Sequence, residues 1–220
     1  MSLNLPFEIL YILYLLNKNG FVAFLVGGAV RDLVMRSKPE FIKDYDFTTD
    51  ATPKEIQEIF KDSFYENKFG TVSLTHEKLL ELINRNYQLP DKNLSHLFIE
   101  PISSNDRIID LKNAKKIHVS LKEKANDAEQ EKKAFTNQLA PFEITTFRSD
   151  GEYLDHRRPE EVIFGKNIKE DLERRDFTIN ALAIEVSQEY LQKIFSKKEI
   201  QSNYLMENQQ FKLIDHHGGQ

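Results

Sequence analysis

FVAFLVGGAVRD, residues 21–32, decides how the fold is read. Its first six residues are an unbroken apolar run, the pattern of a strand covered on both faces. Gly27 and Gly28 end the run, and the spacing that follows, to about Met35, is helical. Upstream, residues 6–19 place Ile9, Leu10, Ile12, Leu13 and Leu16 at helical intervals, with Pro6 suited to a first turn and Gly20 placed to stop the helix. The chain thus opens as helix, strand, Gly-Gly turn and helix.

Working outward, residues 43–48 read as a short strand. Thr52-Pro53-Lys54-Glu55 then marks a helix start, in which Thr52 caps, Pro53 takes the first helical position and Glu55 closes a capping box. That helix is expected to reach about Asp62. Residues 67–70 read as a turn and residues 71–75 as a strand. Residues 142–147 alternate as another strand, residues 169–184 have helical periodicity through Leu172, Ile179, Leu182 and Ala183, and residues 211–214 form a last apolar strand. Residues 76–140 are rich in Lys, Asn, Asp and Glu, with short apolar pieces at 97–99, 108–111 and 117–119. They are expected to be an insertion with a few added strands and a charged stretch over residues 122–133.

Composition bounds the function. The 220 residues suit one domain, or one and a half, and 40% hydrophobic content with 16 Phe can fill a core. A net charge of −5 argues against whole-surface nucleic-acid binding, so any such contact needs a local patch. Cysteine is absent, which removes disulfides, thiolate metal sites and cysteine nucleophiles, and points to a cytoplasmic location. No apolar run is long enough to span a membrane, and no secretory leader is recognisable.

Several residue groups can carry chemistry. Gly27 and Gly28 at a strand-to-helix junction let a ligand approach the backbone, and Arg31 supplies a forked donor, together a phosphate cradle; the alternative is a plain tight turn with Arg31 paired to Asp32. Dinucleotide and Walker glycine patterns are missing. In Asp44-Tyr45-Asp46 an extended backbone turns both carboxylates to one side and Tyr45 to the other, a pair able to hold Mg2+; the alternative is two solvated acids. Glu143 is a candidate third acid, sharing a strand face with Thr145 and Phe147. In Arg174-Arg175-Asp176, helical spacing would put Asp176 and Asn180 on one face, suited to ribose hydroxyls, with the arginines serving phosphate or base; the alternative is a surface ion pair to Glu170 or Asp171. The six histidines lack zinc-binding spacing, and a Ser-centred nucleophile motif is missing.

LVGGAVRD (25–32), DYDFTTDATP (44–53), FGTVSL (69–74), FEITTFRSDGEYLDHRRPEEVIFG (142–165) and EDLERRDFTINALA (170–183) occur in the order and spacing of the class II tRNA nucleotidyltransferase and bacterial poly(A) polymerase family, which the chain resembles. The resemblance implies an α+β polymerase-β-like nucleotidyltransferase head, a mixed sheet flanked by helices, over residues 1–220 with the insertion at about 76–140. It implies Mg2+-dependent transfer of nucleotides from CTP or ATP to an RNA 3′ end, with CCA addition to tRNA favoured over poly(A) addition, or over an inactive nucleotide-binding or RNA-binding module. By the resemblance, Asp44 and Asp46 hold Mg2+, Gly27, Gly28, Arg31, Arg148, Arg175, Asp176 and Asn180 face the nucleotide, and Glu143 is carried over as a third acid. Arg157 and Arg158 lie in a segment that such enzymes keep flexible. The ending LIDHHGGQ is similar to the family's L-I-D-P-x-G-G, after which such enzymes continue into a neck with an E-D-x-x-R motif and tail domains, so the chain is expected to be a head domain alone.

Overall fold

The decisive apolar run behaves as its composition dictates: a strand over Ala23–Val26 is buried at all four positions, and a helix starts at Gly28. The computed structural model describes residues 1–36, 42, 44–66, 70–87, 140–149, 163–165, 167–197, 201 and 203–218. In chain order the elements are β1 (Ser2–Pro6), α1 (Phe7–Lys18), β2 (Ala23–Val26), α2 (Gly28–Val34), β3 (Asp46–Thr49), α3 (Pro53–Ile59), β4 (Phe64–Glu66), β5 (Thr71–Leu74) and α4 (His76–Asn86). There follow β6 (Phe142–Thr146), β7 (Arg148–Ser149), β8 (Ile163–Phe164), α5 (Ile168–Glu173), a 3-10 turn (Thr178–Asn180), β9 (Leu182–Val186), α6 (Gln188–Phe195), β10 (Asn203–Glu207) and β11 (Phe211–Asp215).

Among the described residues, seven strands form one sheet in the order β11-β9-β2-β3-β6-β5-β4. Only the β3–β6 neighbours run parallel, so the expected mixed sheet is present. Alternation sends its side chains to two cores. Ala23, Leu25, Phe47, Val72, Leu74, Phe142, Ile144 and Ile184 join the buried residues of α1, α3, α4 and α6 on one face. Phe24, Val26 and Ala183 meet Phe147, Leu172 and Ala181 on the other. Among the described residues, helices therefore pack on the first face, and the segment around α5 packs on the second beside a smaller core. No helix among the described residues is long and apolar enough to cross a membrane.

Local chemistry explains most boundaries. Thr52 accepts from the Glu55 N–H while Glu55 reaches back to Thr52, the expected capping box, with Pro53 opening α3. That helix stops at Ile59, short of Asp62, because Phe60 leaves helical geometry and is buried at 1% exposure. Pro6 lies just outside α1 with extended backbone, not in its first turn.

Three expectations change, and one pairing is new. The strand read over residues 43–48 starts at Asp46: Val26 pairs with Asp46, and the positions that would face Tyr45 and Asp44 are Gly27, the cap of α2, and Gly28, its first residue, so β2 has no strand left to offer them. His76, taken as the start of an insertion, begins helix α4, which Thr75 caps and whose Leu79 and Ile83 enter the main core. The helical reading of residues 169–184 also breaks. α5 ends at Glu173, and residues 182–186 form β9, a strand buried on both faces whose apolar run mimics helical spacing. Asp176 and Asn180 therefore share no helix face. Finally β1 and β10 pair with each other outside the large sheet, an association between distant segments that neither local sequence announces. The pieces at 97–99, 108–111, 117–119 and 122–133 lie outside the described residues.

Candidate active site

The site assembles where three strand ends meet. β2 and β3 are antiparallel, so the end of β2 lies beside the start of β3; β6 is parallel to β3, so both start together. The register pairs Val26 with Asp46 and Asp46 with Glu143, and Gly27 follows Val26 immediately. Residues distant in the chain thus share one rim of the sheet.

Gly27 is the tightest point. Its φ of 80° and ψ of −149° belong to a region that side-chain-bearing residues rarely adopt. A Cβ there would also stand 3.3 Å from Asp46 Oδ2 and 3.4 Å from Arg175 Nη1. A carboxylate and a guanidinium therefore converge on a bare stretch of backbone. Gly28 differs: a Cβ there meets only Arg31 Nη2, at 3.7 Å, so the steric demand of the Gly-Gly pair falls on Gly27.

Asp44 is exposed, Tyr45 is buried in the main core at 4% exposure, and Asp46 is half-buried, so the alternation across this tripeptide is as expected. Burial raises the Asp46 carboxyl above its ordinary range; Arg175 opposes the rise and Asp44 adds to it. The two acids and Arg175 consequently belong to one electrostatic unit. Glu143 is beside Asp46 in register and exposed, but among the described residues no three acidic or histidine side chains form a group that could hold a metal ion alone.

Cationic groups lie on the other side of the acids. Arg31 donates from Nε to Asp32 at 2.7 Å and from Nη1 to Asn180 Oδ1 at 2.9 Å, and the hydrogen bond and charge of Asp32 raise its guanidinium above the ordinary range. Arg31 thus pairs with Asp32, the alternative read from the sequence, and its Nη2 also lies 3.7 Å from where a Gly28 Cβ would stand. The 3-10 turn delivers Asn180 to Arg31, so Asn180 joins the site without the helix first read there. Asp176 is exposed on the bend before that turn. Arg175 Nη2 donates to Asp171 Oδ2 at 3.2 Å, and Arg174 Nε stands 3.5 Å from Asp171 Oδ1. The Arg148 N–H also donates to Asp171, at 3.2 Å. Burial and then the neighbouring Arg174 lower the Arg148 guanidinium to about 10. Arg157 and Arg158 lie outside the described residues.

Asp171, which the sequence offers only as a surface ion-pair partner, is buried. It is 1% exposed. The signal was present, since an acid three and four residues before two arginines in a helix can reach both, but helical spacing does not reveal burial.

The family model of the poly(A) polymerase head domain matches residues 23–93 and 102–219. The chain belongs to this family. Relatives of this head domain include the CCA-adding enzyme of Staphylococcus haemolyticus (strain JCSC1435), 32% identical over 175 residues, which are 79% of this chain and 28% of that enzyme. The CCA-adding enzyme of Geobacillus thermodenitrificans (strain NG80-2) is 32% identical over 182 residues, 82% of this chain and 29% of that enzyme. A crystal structure of the Bacillus stearothermophilus CCA-adding enzyme in complex with CTP is 25% identical, with a TM-score of 0.44 over 83% of this chain and 27% of that one. The head domain thus spans less than a third of the length of these relatives.

Proposed function

We propose that this head domain transfers nucleotides from CTP or ATP to an RNA 3′ hydroxyl, and that the acceptor is a tRNA receiving its CCA end. The observation that carries the reading is the convergence of Asp46 Oδ2 and Arg175 Nη1 on the bare backbone of Gly27. Those are a group suited to a metal ion and a group suited to phosphate, at one point of bare backbone. The choice of tRNA rests on the relatives, which are CCA-adding enzymes.

Asp44 and Asp46 would hold Mg2+. The donor set fits: hard oxygen ligands, two in number, beside room for phosphate oxygens and waters. When bound, the ion supplies charge neutralisation on the triphosphate and makes the acceptor hydroxyl easier to ionise. The protein's residues do the rest. Burial raises the Asp46 carboxyl, and Arg175 beside it works against that rise. Arg31, fixed by Asp32 and Asn180, and Arg175, fixed by Asp171, aim donors at the phosphates. The 3′ oxygen attacks the α-phosphorus as the bond to the bridging oxygen breaks, and pyrophosphate leaves toward the arginines. Glu143 adds negative charge beside Asp46 on the side away from Gly27.

The test is incubation of the protein with labelled ATP, Mg2+ and tRNA lacking its terminal A. Incorporation of one nucleotide supports CCA completion, and no incorporation overturns the reading. Asp44→Ala and Asp46→Ala should each reduce incorporation by at least about 10²-fold while the protein stays folded. The name of the matching family model favours a second reading, poly(A) addition. Product length separates the two, because a poly(A) polymerase extends the RNA by many A residues.

A further inference from the structure

We propose that Asp171 is a positioning residue, one buried carboxylate that orients the chain at Arg148, Arg174 and Arg175 to receive a triphosphate. The proposal rests on the nucleotide-transfer reading and adds to it the residue that organises its cationic side.

A carboxylate at 1% exposure is unusual unless its charge is matched. Asp171 meets that condition on both oxygens. Oδ2 accepts from Arg175 Nη2 at 3.2 Å, and Oδ1 accepts from the Arg148 backbone N–H at 3.2 Å with Arg174 Nε at 3.5 Å. Leu172, beside it on α5, is fully buried in the smaller core, so the carboxylate is anchored to packed structure. Gly165 closes the other side: its N–H donates to the Phe147 carbonyl, and a Cβ on it would come within 2.9 Å of the Arg148 backbone.

Three arginines gather round this one carboxylate. Among the described residues the buried Nε of Arg175 makes no hydrogen bond, and that of Arg174 has only the ion pair to Asp171. Arg175 extends from Asp171 to Gly27, where its Nη1 meets the space beside Asp46. Burial and two neighbouring guanidinium groups make it harder for Arg148 to hold its proton. Guanidinium groups gathered round one fixed carboxylate, with one of them reaching the bare backbone of Gly27, suit an incoming polyanion. Asp171 makes such crowding tolerable, and by holding Nη2 of Arg175 it leaves Nη1 turned toward Gly27.

Charge and positioning predict opposite signs, which makes the proposal testable. Asp171→Asn removes a negative charge near the phosphates, so charge alone would tighten ATP binding. Positioning predicts the reverse, because the Asn amide N–H groups confront the arginine donors and release them. The experiment measures Mg-ATP and AMP affinity of the wild-type protein, Asp171→Asn and Asp171→Glu, with thermal melts of each. The expected result for Asp171→Asn is a loss of about tenfold or more in ATP affinity, little change for AMP, and partial recovery in Asp171→Glu. Unchanged or tighter ATP binding overturns the proposal. So does an equal loss for ATP and AMP, or failure of both variants to fold, since Asp171 would then be purely structural. If the wild-type protein binds neither nucleotide, it is the nucleotide-transfer reading that fails.

Discussion

Gly27 shows how much can rest on the lack of a side chain. Its backbone conformation is unfavourable for any other residue, and its missing Cβ is what lets Asp46 and Arg175 converge. Gly27→Ala should lower unfolding free energy by about 1–3 kcal/mol from backbone strain and weaken ATP binding about tenfold by pushing Asp46 and Arg175 apart. Gly20 is the control. It also has a positive φ, 91°, but nothing lies within 4 Å of an added Cβ. Gly20→Ala should therefore cost stability alone, read by denaturant melts beside nucleotide titrations. At this scale the sequence was largely legible, because a Gly-Gly pair after an apolar run and a D-x-D tripeptide are local patterns. Asp171 was not, since its role depends on which side of α5 meets the core.

At the scale of elements, short-range chemistry and burial differ in how visible they are. The α3 capping box could be read in four residues, and it forms as read. Thr52→Ala should remove about 1 kcal/mol, measured by urea denaturation, and Glu55→Gln should cost less because an amide can still reach back. α4 was hidden by its setting: Leu79 and Ile83 have the right spacing, but charged neighbours and a long polar sequence beyond dilute the signal. β9 misled in the opposite direction, because a strand covered on both faces has no polar alternation to give it away. β1 and β10 were invisible, since pairing across about two hundred residues leaves no trace in either strand alone.

For the molecule as a whole, Glu8 makes stability depend on pH. It is buried on α1 at 2% exposure, and among the described residues its carboxylate finds no partner beyond its own backbone. Burial pushes its carboxyl up to about 8 from 4.5. The native state then holds the proton more tightly than the unfolded chain, so this contribution to stability is fully present below about pH 4.5, falls as pH rises and levels off above about pH 8. At neutral pH the loss is about 3 kcal/mol. Urea midpoints measured from pH 5 to 8 should decline, and Glu8→Gln should flatten that decline. A flat wild-type profile would show that Glu8 is ionised in the native state.

The β5–β6 junction has a broader consequence. Leu74 pairs with Phe142, and His76 meets the Ala140 carbonyl at 3.0 Å, so both ends of the intervening polypeptide are fastened side by side. Closure entropy grows only with the logarithm of loop length, about 0.6 kcal/mol per doubling, so the sheet is nearly indifferent to what hangs from that root. Replacing residues 88–139 with a flexible linker of about ten residues, enough to run back along α4, should leave folding and ATP binding intact, as judged by melting and titration. The same position is a natural socket for grafting: foreign sequence could be exchanged there while the register that aligns Asp46 with Glu143 stays locked.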